Sequence, residues 1–420
     1  MAAWAGLRLD LVGRILGHLP CLAHRTAFDA VCFNWRVAGA QHPPQLPWLL
    51  LPSTAANAPV FSCIRCEGPH PALLPDDVRT ARCCGSHPGG WLVLALRDHQ
   101  QQGGGYALHN LHTGENLDVP GFLNMPDDIG GEVVVTVLGA ALSAAPTADG
   151  ACLAVVLAKC PSPIAFWRPG MEMEHLYPPM PFEPDKRASW RDMLPGPGGD
   201  VDPRREIADV IYYVGHGLEG FHVLTDAEEV LVYIPELGPD DALTTRLVTY
   251  RFSGPRVTRE ALPWYTTSRY LLNFFGELMM VVRYVSVTEE EDEILEEEDE
   301  IAEEHDEGTR WIHAFRLSWT VQAGNHGDRQ AQWKRVWFPD NVVVMLARCS
   351  SMAFVSPAVA LNGIYFLDDT ESFDETLPDW ELFPCIDMGK CTVHNQPQKV
   401  DSVFPITPQS IFSPAVWFFH

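Results

Sequence analysis

Short apolar runs with a period of two residues recur along most of the chain and constrain its fold more than any other feature. They begin at Trp48 and are separated by Gly, Pro, Asn and Asp. This alternation is typical of half-buried β-strands, and roughly sixteen or seventeen such segments can be counted. The clearest are residues 91–96, 106–111, 133–138, 153–157, 210–214, 230–234, 270–275, 278–287, 311–317 and 364–367.

Evenly spaced strands are expected of sandwiches, barrels and propellers. About 370 residues of strands are too many for one sandwich, whereas a propeller accommodates them by repeating small four-stranded sheets around an axis. The sequence shows no clean WD or kelch repeat. We therefore predict from strand number and spacing a mainly β chain that forms a closed β-propeller over residues 48–420.

Two strongly apolar segments lie at the ends of this region, residues 48–51 and 416–419. An open array of blades would expose a sheet edge at each end, which invites pairing with other chains. We therefore predict that the two segments lie in the same blade or in adjoining blades and close the ring.

Residues 1–42 have a helical period instead. Leu11, Val12, Ile15, Leu16 and Leu19 fall on one face, and Pro20 is expected to end that helix. A second helix is predicted from a stripe at Phe28, Val31, Cys32 and Trp35. Two such short helices make a poor independent core, so they are expected either to dock on a partner or to pack against the propeller. The proline-rich linker 43–47 favours the first alternative.

The chain carries a net charge of −26, which has the wrong sign for binding nucleic acid or an anionic membrane. Fourteen of the acidic residues lie between Glu289 and Glu307, which leaves −12 for the rest. We interpret residues 288–308 as a solvated loop inserted in a hairpin between strands 278–287 and 309–317, although a basic partner could also bind there.

Compartment is predicted from the amino-terminal residues and the cysteines. Arg8, Asp10 and Arg14 interrupt the first apolar stretch, so a signal peptide is not expected, and no apolar run is long enough to cross a membrane. Eleven irregularly spaced cysteines favour reduced thiols. We expect a soluble protein of the cytoplasm, the nucleus or both.

Two motifs suggest chemistry but fail on context. Gly215, Gly217 and Gly220 match the GxGxxG pattern, yet a strand-like segment follows them where a nucleotide-binding loop would open a helix, which favours a hairpin turn. Cys63, Cys66, Cys83 and Cys84, with His70 and His87, could hold zinc, but adjacent strand cysteines point to opposite faces. We therefore expect no metal, no cofactor and no catalytic activity.

The amino-terminal residues resemble an F-box. The resemblance is carried by Trp4-Ala-Gly-Leu7-Arg8-Leu9-Asp10-Leu11-Val12, by Ile15-Leu16-Gly-His-Leu19-Pro20 and by Val31-Cys32-Phe-Asn-Trp35-Arg36. Arg8 stands where that family usually has Pro. The resemblance implies docking of a Skp-type adaptor, and through it a cullin, by Leu7, Leu11, Ile15, Leu16, Leu19, Pro20, Val31 and Trp35.

The remainder resembles the propeller of plant KIB-type proteins, a domain of unknown function (DUF 295). Similar phrases include Arg82-Cys83-Cys84-Gly85-Ser86, Ala165-Phe166-Trp167-Arg168-Pro169-Gly170, Asp209-Val-Ile-Tyr212, Gly363-Ile364-Tyr365-Phe366-Leu367-Asp368-Asp369 and Ser413-Pro414-Ala415-Val416-Trp417-Phe418. Together the two resemblances imply the substrate-recognition subunit of an SCF-type (Skp–cullin–F-box) ubiquitin ligase whose propeller binds a target protein. The alternatives are an adaptor-independent binding or sequestering propeller with a degenerate F-box and, ranked last, a propeller enzyme or a sugar-binding lectin.

Overall fold

A computed structural model gives the fold of the chain. The structure describes residues 6–19, 22–40, 46–52, 58–64, 69–71, 74–96, 105–119, 124–126, 132–134, 136–158, 164–169, 207–237, 243–250, 252, 257–258, 265–286, 308–321, 329–355, 361–369, 387–392, 398–401, 404, 410 and 413–419. No helix in these ranges is long and apolar enough to cross a membrane.

Three helices, rather than the two predicted, form the amino-terminal module. They are α1 (Leu9–Gly17), α2 (Leu22–Asp29) and α3 (Phe33–Ala40). The predicted second helix was wrong because the chain leaves the helical path at residues 30–32, and α3 starts anew with a bond from Arg36 N to Cys32 O. In one continuous helix Phe28 and Trp35 would lie about 10 Å apart along the axis. The break brings their rings to 4.4 Å.

The propeller has six described blades, whose strands are hydrogen-bonded within each blade. A short helix, α4 (Asp76–Arg79), precedes the second blade. Blade 1 contains β1 (Trp48–Leu51), β2 (Val60–Ser62) and β3 (Pro69–Pro71); blade 2 contains β4 (Arg82–His87), β5 (Trp91–Ala95), β6 (Tyr106–Asn110) and β7 (Asn116–Val119); the hairpin of β8 (Asn124–Pro126) and β9 (Glu132–Val134) follows; blade 3 contains β10 (Thr136–Leu142), β11 (Leu153–Ala158) and β12 (Ile164–Trp167).

Blades 4, 5 and 6 form the second half of the ring. Blade 4 contains β13 (Ile207–Gly215), β14 (Leu218–Thr225), β15 (Val230–Leu237) and β16 (Leu243–Thr249); blade 5 contains β17 (Tyr265–Phe274), β18 (Glu277–Ser286), β19 (Gly308–Val321) and β20 (Arg329–Val336); blade 6 contains β21 (Val342–Leu346), β22 (Met352–Val355), β23 (Gly363–Phe366), β24 (Gly389–Cys391) and β25 (Val400–Asp401); β26 (Val416–Phe418) returns to blade 1. Each of the ten clearest predicted strand segments overlaps a strand.

Blade 5 shows why the runs are so apolar. In β18, Leu278, Met280 and Val282 pack into a core with blade 4, whereas Met279 and Val281 pack into a core with blade 6. Because both faces of such a blade are buried, the strand is apolar at consecutive positions. The predicted hairpin arms are confirmed, since Ser286 of β18 pairs with Gly308 of β19. The acidic residues between them lie outside the described ranges.

The predicted ring closure is confirmed. β26 pairs antiparallel with β1, with Trp48 opposite Phe418, Leu49 opposite Trp417 and Leu50 opposite Val416. Trp417 has no exposed surface, and its indole Nε1 donates a 2.9 Å hydrogen bond to Leu346 O of blade 6. Blade 1 is therefore assembled from both ends of the propeller region and is joined to blade 6 through that indole.

Blade 6 departs from the expected repeat of four-stranded blades. Its spatial order is β22-β21-β23-β24-β25, and β21 pairs with β23 in parallel, whereas the other strand pairs within the blades are antiparallel. The chain enters this blade at the second position, turns inward to form β22, and then crosses to β23. The inward turn, residues 347–351, is called the central turn below.

Candidate functional site

The amino-terminal module has a small core of its own, formed by Val12, Leu16, Phe28, Trp35 and Ala38. Four large apolar side chains remain outside this core: Leu9, Leu11 and Val31, with exposed fractions of 50%, 39% and 50%, and Phe33 with 75%. Burying side chains of this size on a partner is worth about 1.5–3 kcal/mol each. The module can therefore bind an apolar surface without unfolding.

The eight residues predicted for adaptor binding fall into distinct environments. Leu11 and Val31 are exposed; Leu7, Ile15 and Leu19 are partly buried against the module core; Leu16 and Trp35 lie inside that core; and Pro20 is outside the described residues. Leu16 and Trp35 are therefore not exposed for contact with an adaptor, which corrects the prediction for these two residues. Their packing in the core holds the helices together. Leu9 and Phe33, which were not among the predicted residues, are also exposed and lie within the F-box-like segments.

Arg8 immediately precedes α1 and has φ −62° and ψ 141°. This φ is the value that proline imposes, so the backbone here adopts the path that the usual family residue would favour. The Arg8 side chain is exposed and forms an ion pair with Asp10 at 3.0 Å, and Asp10 lies in the first turn, where a negative charge favours a helix.

The GxGxxG segment is a hairpin turn, as predicted. Gly215 pairs with Leu218 across the two intervening residues, and β14 continues as a strand through Thr225. His216 and Gly217 have φ values of 54° and 81°, the left-handed pair that a type I′ turn requires. This segment opens no helix that could hold a phosphate.

The cysteines proposed as zinc ligands lie in separate environments. Cys84 packs into the core between blades 2 and 3, whereas Cys83 and Cys63 pack into the core between blades 1 and 2. Adjacent side chains on β4 thus point to opposite faces, as expected, and burial raises the pKa of the Cys83 thiol to about 12. Cys66 lies outside the described ranges. Within those ranges no group of three His, Cys, Asp or Glu side chains is arranged to hold a metal ion.

The interior of the ring has a polar centre that the sequence did not indicate. The central turn extends from blade 6 to blade 3, on the opposite side of the ring, where a Cβ atom on Gly139 would lie 2.6 Å from Cys349 Sγ. Cys349 is buried among residues of blades 3 and 4. The central turn therefore reaches across the interior of the ring.

Two carboxylates hold the central turn. Asp209 Oδ1 accepts hydrogen bonds from Cys349 N at 2.6 Å and Val210 N at 2.9 Å, while Oδ2 accepts one from Leu271 N at 2.6 Å. Asp369 accepts one from Arg348 N at 2.9 Å. Blades 4, 5 and 6 thus meet at the Asp209 carboxylate, whose pKa burial raises to about 7 against the effect of these three donors.

Asp369 also joins blade 6 to blade 5. It accepts a 2.5 Å hydrogen bond from the Tyr270 hydroxyl and lies 3.6 Å from the guanidinium of Arg283, which has no exposed surface. Arg283 in turn donates to Leu367 O and lies over the Phe366 ring. These contacts join blade 5 to blade 6, which is typical of a structural role.

Comparison with known proteins identifies the propeller. A search of curated proteins found no match. The family model described as KIB1-4 beta-propeller matches residues 60–395, which is more than half of the chain and includes strands of all six blades. The predicted KIB-type propeller is therefore confirmed: the chain belongs to the KIB1-4 beta-propeller family.

Proposed function

We propose that this chain is the substrate-recognition subunit of an SCF-type ubiquitin ligase. In this proposal the amino-terminal module docks a Skp-type adaptor and through it a cullin, the propeller binds a target protein, and other subunits transfer ubiquitin in the cytoplasm, the nucleus or both. The observation that supports it most is the set of exposed apolar side chains on a module that already has its own core. A propeller of the KIB family is suited to binding proteins.

The chain itself would be non-catalytic and without a cofactor. Its physical contribution would be proximity, because holding a target beside a loaded conjugating enzyme raises the effective concentration of the target's lysines. Proximity labelling in cells with the proteasome inhibited, comparing the full chain with one that lacks residues 1–42, would separate targets from ligase subunits.

Adaptor docking is tested most directly at Leu11 and Val31, which are exposed and belong to the predicted surface. The double variant Leu11→Asp with Val31→Asp should lower adaptor affinity by about a hundredfold or more, because two buried apolar contacts are each worth about 1.5–3 kcal/mol. Affinity is measured by titrating purified adaptor into the full chain.

The matched control is Val214→Asp with Val355→Asp, which adds the same charge at exposed propeller positions and should leave adaptor affinity unchanged. Thermal unfolding of both variants checks that the module core persists. Unchanged adaptor binding by the Leu11 and Val31 variant would show that these side chains do not form the docking surface. Failure of the unaltered chain to bind the adaptor would rule out the ligase role and favour an adaptor-independent binding or sequestering protein.

A further inference from the structure

Five aromatic rings form a closed circuit where the β13–β14 hairpin of blade 4 meets blade 5. In order around the circuit they belong to Tyr213, His216, Trp319, Tyr250 and His222. Successive ring centres are 6.0, 5.6, 4.8 and 5.9 Å apart, and a distance of 5.0 Å from His222 back to Tyr213 closes the circuit. Neighbouring ring planes are inclined by 43–87°, so the rings stand like the walls of a box rather than in one flat layer. These five rings are called the aromatic cage below.

The aromatic cage is closed on one side and open on the other. Tyr213 and His222 have exposed fractions of 1% and 0%, whereas Trp319 and Tyr250 are half-buried and His216 is exposed. His216 takes the first left-handed position of the type I′ turn, with φ 54°, and its ring lies against Trp319 of the next blade. A ligand can therefore reach the cage from solvent and would end against the two buried rings.

The polar groups at the buried end of the cage are engaged within the protein. The Tyr213 hydroxyl donates to Gly276 O at 2.7 Å. His222 Nδ1 lies 3.1 Å from Gly220 O, which can only accept, so this nitrogen carries the proton. The other imidazole nitrogen, Nε2, then accepts from the Tyr250 hydroxyl at 3.1 Å. Because these groups have partners, a ligand at this end would meet aromatic rings rather than free hydrogen-bonding groups.

The charges around the aromatic cage favour a cation. Burial lowers the pKa of His216 and that of His222, the latter to about 4, so both imidazoles are neutral at about pH 7. Burial raises the pKa of Tyr213, and the negative charge of nearby Glu277 raises it further. Glu277 is half-exposed and pairs with Arg316 at 3.2 Å. In a chain of net charge −26, a cation is attracted from solvent and an anion is repelled.

The spacing of the rings fits a methylated ammonium group. A group at the middle of such a circuit would lie about 5 Å from each ring centre, within the limit of about 6 Å for attraction between a cation and an aromatic face. An unmethylated lysine ammonium has three N–H donors, which would lose water without gaining acceptors at the buried end. Methylation removes these donors, keeps the charge and adds apolar contact with the rings.

We propose that the aromatic cage of Tyr213, His216, His222, Tyr250 and Trp319 binds a methylated ammonium group. Such a group is carried by a methylated lysine side chain of a protein or by a free quaternary amine such as choline. Attraction between the cation and the rings supplies affinity and selects against neutral groups of the same shape. This inference goes beyond the proposed function and does not depend on adaptor docking.

The test measures binding of three probes to the full chain by ligand-observed NMR. They are a short Gly- and Ser-based peptide with one trimethyllysine, the same peptide with a tert-butyl group in place of the trimethylammonium, and choline. The trimethyllysine peptide should bind about fivefold or more tightly than its neutral isostere. Tighter binding of the peptide than of choline assigns the site to a lysine side chain, and the reverse assigns it to a free amine. Equal affinity for the isostere, or no binding of either cation, would overturn the proposal.

Variants locate the binding in the cage. His216→Asn removes one ring while asparagine keeps the left-handed backbone of the turn, so trimethyllysine binding should weaken without a fall in melting temperature. Trp319→Ala should weaken it by about tenfold. Trp337→Ala, which removes an exposed tryptophan outside the cage, is the matched control. Unchanged binding by the His216 and Trp319 variants would place the site elsewhere and overturn the cage.

The contribution of charge is tested at Glu277. Glu277→Gln should weaken trimethyllysine binding by about twofold or more and leave the neutral isostere unaffected. Glu236→Gln is the matched control, because Glu236 is equally exposed and also pairs with an arginine, Arg246, at 3.0 Å. An equal effect of both variants, or of Glu277→Gln on both peptides, would contradict selection of a cation by the cage.

Discussion

Asp209 is the residue on which most of the ring's centre depends. Its carboxylate is fully buried and accepts backbone N–H groups from its own blade, from Leu271 in blade 5 and from Cys349 after β21. An unsatisfied N–H group costs about 1–3 kcal/mol when buried. The carboxylate therefore satisfies three buried N–H donors at once, and this gain opposes the free energy that desolvation of the carboxylate costs.

The pKa of Asp209 gives a pH prediction with a definite sign. Burial raises that pKa to about 7 in the folded chain, whereas the pKa of an aspartate in an unfolded chain is about 3.9. Between these values the folded state holds a proton that the unfolded state has released, so stability falls as pH rises. The free energy of unfolding, relative to Asp209→Asn, should decrease from about pH 5 to about pH 8.

Chemical denaturation at several pH values measures this difference, and the asparagine variant supplies a baseline that cannot titrate at this position. A difference that is constant or rises with pH would show that the three N–H donors keep Asp209 ionised throughout. Asp149→Asn, the same change at an exposed side chain, is the matched control.

Sequence alone could not reveal this role. In the sequence Asp209 stands out only within a phrase that resembles a family, because its partners lie 62 and 140 residues further along the chain. The helix break at residues 30–32 was missed for a similar reason. The spacing of Phe28 and Trp35 fits one helix, and only packing against Val12 and Leu16 shows that the chain bends between them.

At the scale of elements, strands and hairpins were the most predictable part of the fold. The apolar runs of blades 4 and 5 and the His216-Gly217 turn carry local signals that need no distant partner. Blade 6 was not predictable, because β21 pairs in parallel with β23 on one side and antiparallel with β22 on the other, and nothing in a strand's composition encodes that order.

The β18–β19 hairpin gives a prediction at this scale. Deleting residues 289–307 and joining the arms by a short glycine-containing turn should change the melting temperature by no more than about 2 °C, because shortening a surface loop alters its closure entropy only slightly. The arms remain paired from Met279 with Arg316 to Ser286 with Gly308. Differential scanning calorimetry measures the effect.

A variant of unchanged length, with the fourteen acidic residues replaced by serine, separates the effect of charge from that of length. A loss of several kcal/mol in the deletion, but not in the serine variant, would show that the segment packs on the propeller and is more than an insertion. A loss of stability in both the deletion and the serine variant would show that the negative charge of the segment contributes to stability.

For the whole molecule, closure of the ring is the feature that links the two ends of the propeller. Truncation after Pro414 removes β26, leaves one edge of β1 unpaired and exposes the cores on both sides of blade 1. The truncated chain should aggregate, because an unpaired apolar strand edge pairs with other chains. Light scattering during expression and heating measures this, and removal of His420 alone is the control.

A truncated chain that stays soluble with unchanged melting behaviour would contradict the closed architecture. Closure was predictable because both end segments are apolar and strand-like, and because a ring leaves no edge. Which strand would lie innermost in blade 1 was not predictable, since that depends on where the chain enters every other blade.

The pairing of β26 with β1 also determines how late in synthesis blade 1 can be completed. A ribosome makes β1 before it has made any other strand of the ring, and β1 must wait for nearly the entire propeller before β26 emerges. Blades 2 to 5 each use consecutive strands and can fold as they leave the exit tunnel. The edge of β1 that pairs with β26 stays unpaired in the nascent chain until translation is nearly complete. Chaperones that shield apolar strands should therefore be needed most during that interval.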